Sequence, residues 1–296
     1  MEYEVRIDGK KLVALTKGVQ ITDRQGAQAD DIRLLIINDK EQVVKKGSVL
    51  TCSFGGFSGG RMNVDTISSN ATTTLIGAIS APLGAKVERT RHWLKVRLFD
   101  IVNDVAKNCG ISVYYQGVTN WYYENVTQFR ETDLAFLNRL CTREGYALKI
   151  DDNRLVIYKN EIIENAKPVL TIGQGDVINN KIAFSENPNK VNSVTVRYYG
   201  DRLIEHTAWR GVVGEEKTIK EYVASVAEAE RFATNYLASY AQNDITVDVL
   251  IPINDGVASG NCIEFVDFAM FNGKYVVFEC SHDPERNQTR LRGRKV

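Results

Sequence analysis

The stretch from Thr127 to Tyr158, TQFRETDLAFLNRLCTREGYALKIDDNRLVIY, decides how the chain is read. It describes one helix sealed onto one hairpin. Thr132 is placed to N-cap the helix, and Asp133 puts a carboxylate at its positive end. Leu134, Leu137, Leu140 and Cys141 recur at helical spacing, which lays one apolar stripe along the helix. Arg143 falls in the last turn, and Gly145 supplies the left-handed stop. Tyr146 to Ile150 and Leu155 to Tyr158 follow as strands, joined by the turn formers Asp151, Asp152 and Asn153. Local physics predicts a small packed α/β unit without catalytic machinery.

On either side of this unit the texture is β. Tyr3, Val5 and Ile7 alternate with charged residues and end at Asp8-Gly9, the pattern of an amphipathic strand. Ile32 to Ile37 is a nearly continuous apolar run, expected to be a strand buried on both faces. Gly47 to Phe54 reads as another strand, interrupted by Gly55 to Gly60, and the Thr- and Ser-rich residues 63–81 as more strand and exposed loop. A helix is predicted where Leu98, Val102, Val105 and Ala106 keep helical spacing, ending at Gly110, with a strand over residues 111–115. Pro168 marks a boundary.

Beyond it, residues 169–172, 182–184 and 191–199 read as strands. Ser225 and Glu228 fit a capping box for a long helix buried through Ala229, Phe232, Ala233, Tyr236 and Leu237. Ile245 to Ile251 alternates as a half-buried strand, and residues 263–266 and 275–280 form a hairpin around Asn272-Gly273. The fold class is therefore α+β and β-rich. Three modules are expected: 1–90 and 167–296 as small β-barrel-like units, the second with one inserted helix, and 91–166 as an α/β unit between them.

Length and composition bound the function. A chain of 296 residues exceeds one typical domain, about two or three units being the expectation. Its 37 basic and 37 acidic residues give a net charge of +0, so no long-range field favours nucleic acid or an anionic membrane. No apolar run approaches the about 20 residues of a membrane span, and the N-terminus lacks the pattern of a secretory signal. Five scattered cysteines without a Cys-x-x-Cys pair predict reduced thiols and a cytoplasmic setting.

The opening stretch also resembles a family signature. Asp133, Leu134, Phe136, Leu137, Arg139, Leu140, Glu144 and Gly145 match the Leu-x-Phe-Leu-x-Arg-Leu-x-x-x-Glu-Gly helix and hairpin of phage late control protein D. Those are baseplate hub proteins of contractile tails, related to the N-terminal hub part of type VI secretion VgrG proteins. A second likeness lies in Pro252, Gly260 to Glu264, Phe271 to Tyr275 and Ser281-His282, and a third in residues 31–54 with their Lys46-Gly47 turn.

The resemblance implies a structural hub of a phage tail or R-type bacteriocin, a virion protein that forms a homotrimer. Its two β modules would form a pseudo-sixfold ring joining the sixfold tail tube, or a tube initiator, to a threefold spike, with the middle module bracing the ring from outside. Baseplate wedge or sheath-proximal proteins are the other implied partners. The chain stops soon after the hub hairpin, so the spike is expected as a separate chain. Synthesis in the bacterial cytoplasm, assembly into the particle baseplate, no membrane insertion and no specific nucleic-acid binding complete the expectation.

Catalytic alternatives find little footing. The three histidines, His92, His206 and His282, sit in no metalloprotease, P-loop or nucleophile-elbow motif. Glu205 and His206 are neighbours on a predicted strand and face opposite sides. Gly55 to Gly60 lacks the Lys-Ser/Thr that a phosphate cradle needs and reads as a flexible loop, and Gly173-Gln174-Gly175 reads as a turn. Glu131 with Asp133 fit a helix start, and Asp151 with Asp152 a turn, better than a carboxylate pair. Tyr114, Tyr115, Trp121, Tyr122 and Tyr123 lack the interleaved cations of a nucleic-acid groove and read as a core or interface cluster. No catalytic, cofactor-binding or metal residue is assigned, and no cofactor is expected. A hub of a type VI or extracellular injection system, or a hub-associated cell-wall hydrolase, remains as an alternative.

Overall fold

The computed structural model describes residues 2–12, 14–26, 28–38, 44–211 and 213–296. The first third supplies β1 (Tyr3–Ile7), β2 (Lys10–Lys11), β3 (Thr16–Arg24), β4 (Asp31–Ile37), β5 (Val49–Phe54), β6 (Phe57–Ser58), β7 (Met62–Ser69) and β8 (Thr73–Ile79). Their alternate residues, among them Val5, Val19, Ile32, Leu34, Leu50, Met62, Val64 and Ile76, fill one core. Six of the strands pair in the order β3-β4-β8-β7-β5-β1, curled around that core. β4 corrects the expectation for residues 32–37. Ile32, Leu34 and Ile36 are buried, but Arg33 is exposed and Leu35 and Ile37 only half-buried. An apolar run alone does not reveal that its second face meets no covering layer.

Next come β9 (Glu88–Arg97), α1 (Leu98–Cys109), β10 (Ser112–Gln116), β11 (Tyr122–Thr132), α2 (Asp133–Arg143), β12 (Tyr146–Asp151), β13 (Arg154–Lys159) and α3 (Asn160–Glu164). The opening stretch folds as read. Ala135 N–H donates to Thr132 Oγ1, Gly145 is left-handed at φ +76°, and β12 and β13 pair antiparallel. The turn itself is two residues, Asp152 and Asn153, both left-handed as a tight hairpin requires, while Asp151 closes β12. β9 and β11 form a separate two-stranded ribbon.

The last part contains β14 (Leu170–Ile172), β15 (Ile182–Glu186), β16 (Val191–Tyr199), β17 (Leu203–Trp209), β18 (Glu215–Lys220), α4 (Val226–Ala241), β19 (Ile245–Pro252), β20 (Cys262–Phe265), β21 (Gly273–Asp283) and β22 (Gln288–Lys295). A second set of six strands, β14-β20-β21-β22-β19-β15, surrounds its own core of Val247, Val249, Ile263, Phe265, Tyr275 and Leu291. The β20–β21 connection is longer than the expected turn. It runs through a 3-10 turn at Ala269–Phe271, and Gly273 opens β21 opposite Phe265.

The inserted segment does not bury itself there. β16, β17 and β18 form a separate sheet under α4, and Val194, Val196, Phe232 and Ala233 share a core with Leu98, Phe136, Leu140 and Leu148 of the middle unit. Of the Ser225–Glu228 capping box only half is present. Glu228 N–H donates to Ser225 Oγ, while the Glu228 carboxylate accepts from Ala224 N–H. Among the described residues no helix is long and apolar enough to cross a membrane.

Candidate functional site

The feature that organises the molecule is the seam between the two curled sheets. β3 pairs antiparallel with β21, Ile21 opposite His282 and Arg24 opposite Glu279, so among the described residues fourteen strands form one continuous sheet. Across its outer face runs a ladder of alternating charges. Asp248 on β19 lies opposite Arg292 on β22, Arg292 opposite Glu279 on β21, and Glu279 opposite Arg24 on β3. Arg292 reaches Asp248 at 3.1 Å and Glu279 at 3.0 Å, and Arg24 reaches Glu279 at 3.0 Å and also pairs with Asp31 on β4. Burial opposes ionisation of Asp248, but Arg290 and Arg292 outweigh it and hold its carboxyl below the usual carboxylate range. Beside the ladder, a groove of about 560 Å³ opens between Gln20, Lys181, Leu250, Asp283, Arg286 and Arg290.

Beneath the seam, Asp23 joins all three parts of the chain. Its carboxylate accepts from Ser259 N–H at 2.9 Å and Ser259 Oγ at 2.7 Å, and pairs with Lys149 on β12. Asp30 lies alongside. Burial, and then the charge of Asp23, raise its pKa well above the ordinary value against the pull of Lys149. The Gly55–Gly60 segment is tied into the same joint. Gly56 N–H donates to Asp255 and Arg61 pairs with Asp152 at 2.9 Å, so this loop is a bracket and not a free turn. A Cβ at Gly55 would fall 2.2 Å from the Asp255 carboxylate oxygen, which explains the glycine.

The middle unit has its own buried polar joints. Asp133, fully buried, accepts from Gln128 at 2.9 Å and pairs with Arg91 at 3.2 Å and Arg89 at 3.3 Å. Glu144 accepts from Tyr123 Oη at 2.7 Å and from Arg231 of α4 at 2.8 Å, while the Arg143 guanidinium lies over the Tyr123 and Phe232 rings. Residues 133, 143 and 144 thus seal the helix to β9, β11 and α4. Sequence reasoning placed Asp133 only at a helix end and did not see its partners.

The structure scatters the catalytic candidates. His92 is exposed beside Thr127, and His206 is half-buried in β17. His282 is buried at the seam, with Nδ1 2.9 Å from Thr289 Oγ1 and its ring against Phe54 and Phe57. Burial pushes its pKa down to about 4. Its Nε2 is 3.2 Å from Cys280 Sγ, the spacing of a nucleophile and base. Yet burial also raises the Cys280 thiol well above its ordinary value, so the pair is a neutral contact and not an activated thiolate. Glu131 is taken by Arg139 and Asp151 faces Arg154. The aromatic group divides: Tyr123 is core, Tyr115 stacks on Phe99, Trp121 packs under Arg231, and Tyr114 and Tyr122 are exposed. Among the described residues no group of three or more His, Cys, Asp or Glu is placed to hold a metal ion.

No protein-family model and no curated protein sequence matches the chain. Solved structures do. The 43 kDa tail protein of prophage MuSo2 from Shewanella oneidensis superposes with a TM-score of 0.78 at 15% identity, over 100% of this chain and 98% of that one. A tail protein from Neisseria meningitidis gives 0.79 at 15% identity, over 100% and 97%. The chain has the fold of phage tail proteins. An Escherichia coli type VI secretion component, described as structurally similar to bacteriophage T4 tail proteins, shares this tail-protein fold at a TM-score of 0.62 and 11% identity, over 99% of this chain and 76% of that one. The resemblance of residues 133–145 and 252–282 to tail proteins therefore agrees with the fold. At these identities the agreement is one of fold.

Proposed function

We propose that this chain is a non-enzymatic structural component of a contractile tail: the baseplate hub, a homotrimer that joins a sixfold tube to a threefold spike. The single observation that carries the proposal is the pair of six-stranded curled sheets welded through β3 and β21. Three copies of such a pair place six similar units around an axis, which suits a sixfold partner on one side and a threefold partner on the other. In this reading modules 1–90 and 167–296 supply the ring. Module 91–166, with the β16–β18 sheet and α4 packed on it, braces the outside and meets wedge or sheath-proximal proteins. The polar joints at Asp23 and Glu144 serve this role by holding the three modules in one orientation.

Multi-angle light scattering of the purified chain should give a trimer, or a trimer once the spike protein is added, and negative-stain images should show a ring. A monomer at all concentrations that ignores both tube and spike proteins removes the proposal. The hub of a type VI or extracellular injection system is the second reading. It is favoured less, because the Shewanella and Neisseria tail proteins superpose more closely, and over 98% and 97% of their length, than the secretion component does.

A further inference from the structure

The β9–β11 ribbon carries a feature that neither the fold nor the hub reading uses. In a regular strand consecutive side chains alternate between faces, yet Leu94 and Lys95 are both exposed, and so are Phe129 and Arg130. The cause is visible in the backbone. Lys95 has φ +49° and Arg130 φ +47°, left-handed values inside strands, and at Gln128 to Glu131 the register also slips. Non-glycine residues held in this region are strained, and such strain concentrates where a surface has work to do. The same construction therefore occurs twice: an exposed apolar residue followed by a basic residue at a left-handed kink. Leu94 is 64% and Phe129 65% exposed, and the Arg130 guanidinium lies over the Phe129 ring. Among the described residues Lys95, Arg97 and Arg130 have no carboxylate within ion-pair distance, whereas Arg89, Arg91 and Arg139 nearby are all paired. Glu88 and Glu124 are the acids on the outer side, so the face carries three cations against two acids, a net charge of +1, with two apolar knobs.

We infer that the outer face of this ribbon is a docking surface for an acidic protein segment that carries apolar side chains. Three unpaired cations set the charge of the occupant, and two exposed knobs require apolar contact from it. A second copy of the chain is the rival occupant. The inference stands on the ribbon alone and does not depend on the hub reading.

The test uses the full chain and a fluorescein-labelled peptide of three Glu-Leu-Asp-Phe repeats, with a Lys-Leu-Lys-Phe peptide as its counterpart, followed by anisotropy. The acidic peptide should bind saturably and more weakly as salt is raised, and the basic one should not. K95E/R130E should weaken binding by at least about tenfold, and L94S/F129S should weaken it comparably. K95G/R130G should also weaken it while leaving Tm unchanged or raised, because glycine adopts these backbone angles freely. Equal binding of both peptides or of neither, or a lower Tm in K95G/R130G, overturns the inference. So does self-association of the native chain that L94S/F129S abolishes, since the face then serves a second copy.

Discussion

Replacing Asp23 with alanine tests the joint at which all three parts of the chain meet. The carboxylate accepts two hydrogen bonds from Ser259 and pairs with Lys149, whose side chain is 16% exposed. Deleting one partner of a buried ion pair costs about 3–5 kcal/mol, because the other charge is left without compensation. Here Asp30 is close enough to take over part of the role. Burial and the neighbouring Asp23 charge raise its pKa, and removing Asp23 lets Asp30 ionise against Lys149. The expected loss is therefore nearer about 2–3 kcal/mol than the full figure, and it depends on pH. In the native protein a carboxyl with a raised folded pKa reduces stability as pH climbs from the unfolded value of about 4 towards the folded one. In D23A the part of that penalty due to the Asp23 charge falls away while the larger part due to burial stays, so the difference between native and variant should be largest near pH 5 and should shrink as pH rises. Urea titrations at pH 5, 6, 7 and 8 measure it, with the midpoint as readout and the slope as a check on two-state behaviour. A loss below about 1 kcal/mol, or one that is flat with pH, would refute the account of this joint.

Three further outcomes follow from the same contacts. Leu137→Asp places an unpaired charge on the buried face of α2, where Leu137 is 1% exposed, and should abolish soluble folding; normal expression and melting would show the face is wrong. His282, held neutral with a pKa of about 4, contributes stability that is fully present above about pH 6.5 and is lost as pH falls towards 4, at most about 3 kcal/mol. His282→Gln should flatten that part of the acid unfolding profile, measured by circular dichroism. Glu279→Gln breaks the charge ladder at its centre, between Arg24 and Arg292. These groups are partly exposed, so the expected cost is only about 1 kcal/mol and should diminish in high salt; a salt-independent loss seen in thermal melts would point to packing instead.

The legible parts of the chain share one property: their signals lie within a few residues. Thr132, the Leu134–Cys141 stripe, Gly145 and the Asp152-Asn153 turn each act on near neighbours, so the α2–β12–β13 unit was readable in full. Most of the strands that escaped notice have remote partners, although β17 and the basic β22 pair with the strand just before them. β3, with the sequence Thr-Lys-Gly-Val-Gln-Ile-Thr-Asp-Arg, offers only Val19 and Ile21 as an apolar face, and nothing local announces that it joins two sheets. β9, β11 and β18 were missed for the same reason, their edges being polar and their pairing non-local, whereas β17 pairs with the strand just before it and was hidden by its polar residues alone. The polar joints were equally hidden. Asp23 finds Ser259 across 236 positions, and Glu144 finds Arg231 across 87.

By itself the sequence determined the β-rich class and the faces of the helices, because periodicity, capping and turn chemistry are short-range. Only the tertiary structure decided that the two curled sheets weld into one, that α4 packs on the middle unit, and that the ribbon turns two basic residues outward. Those outcomes depend on which buried surfaces meet and which backbone kinks the surrounding packing sustains. Both are properties of contacts between segments far apart in the chain.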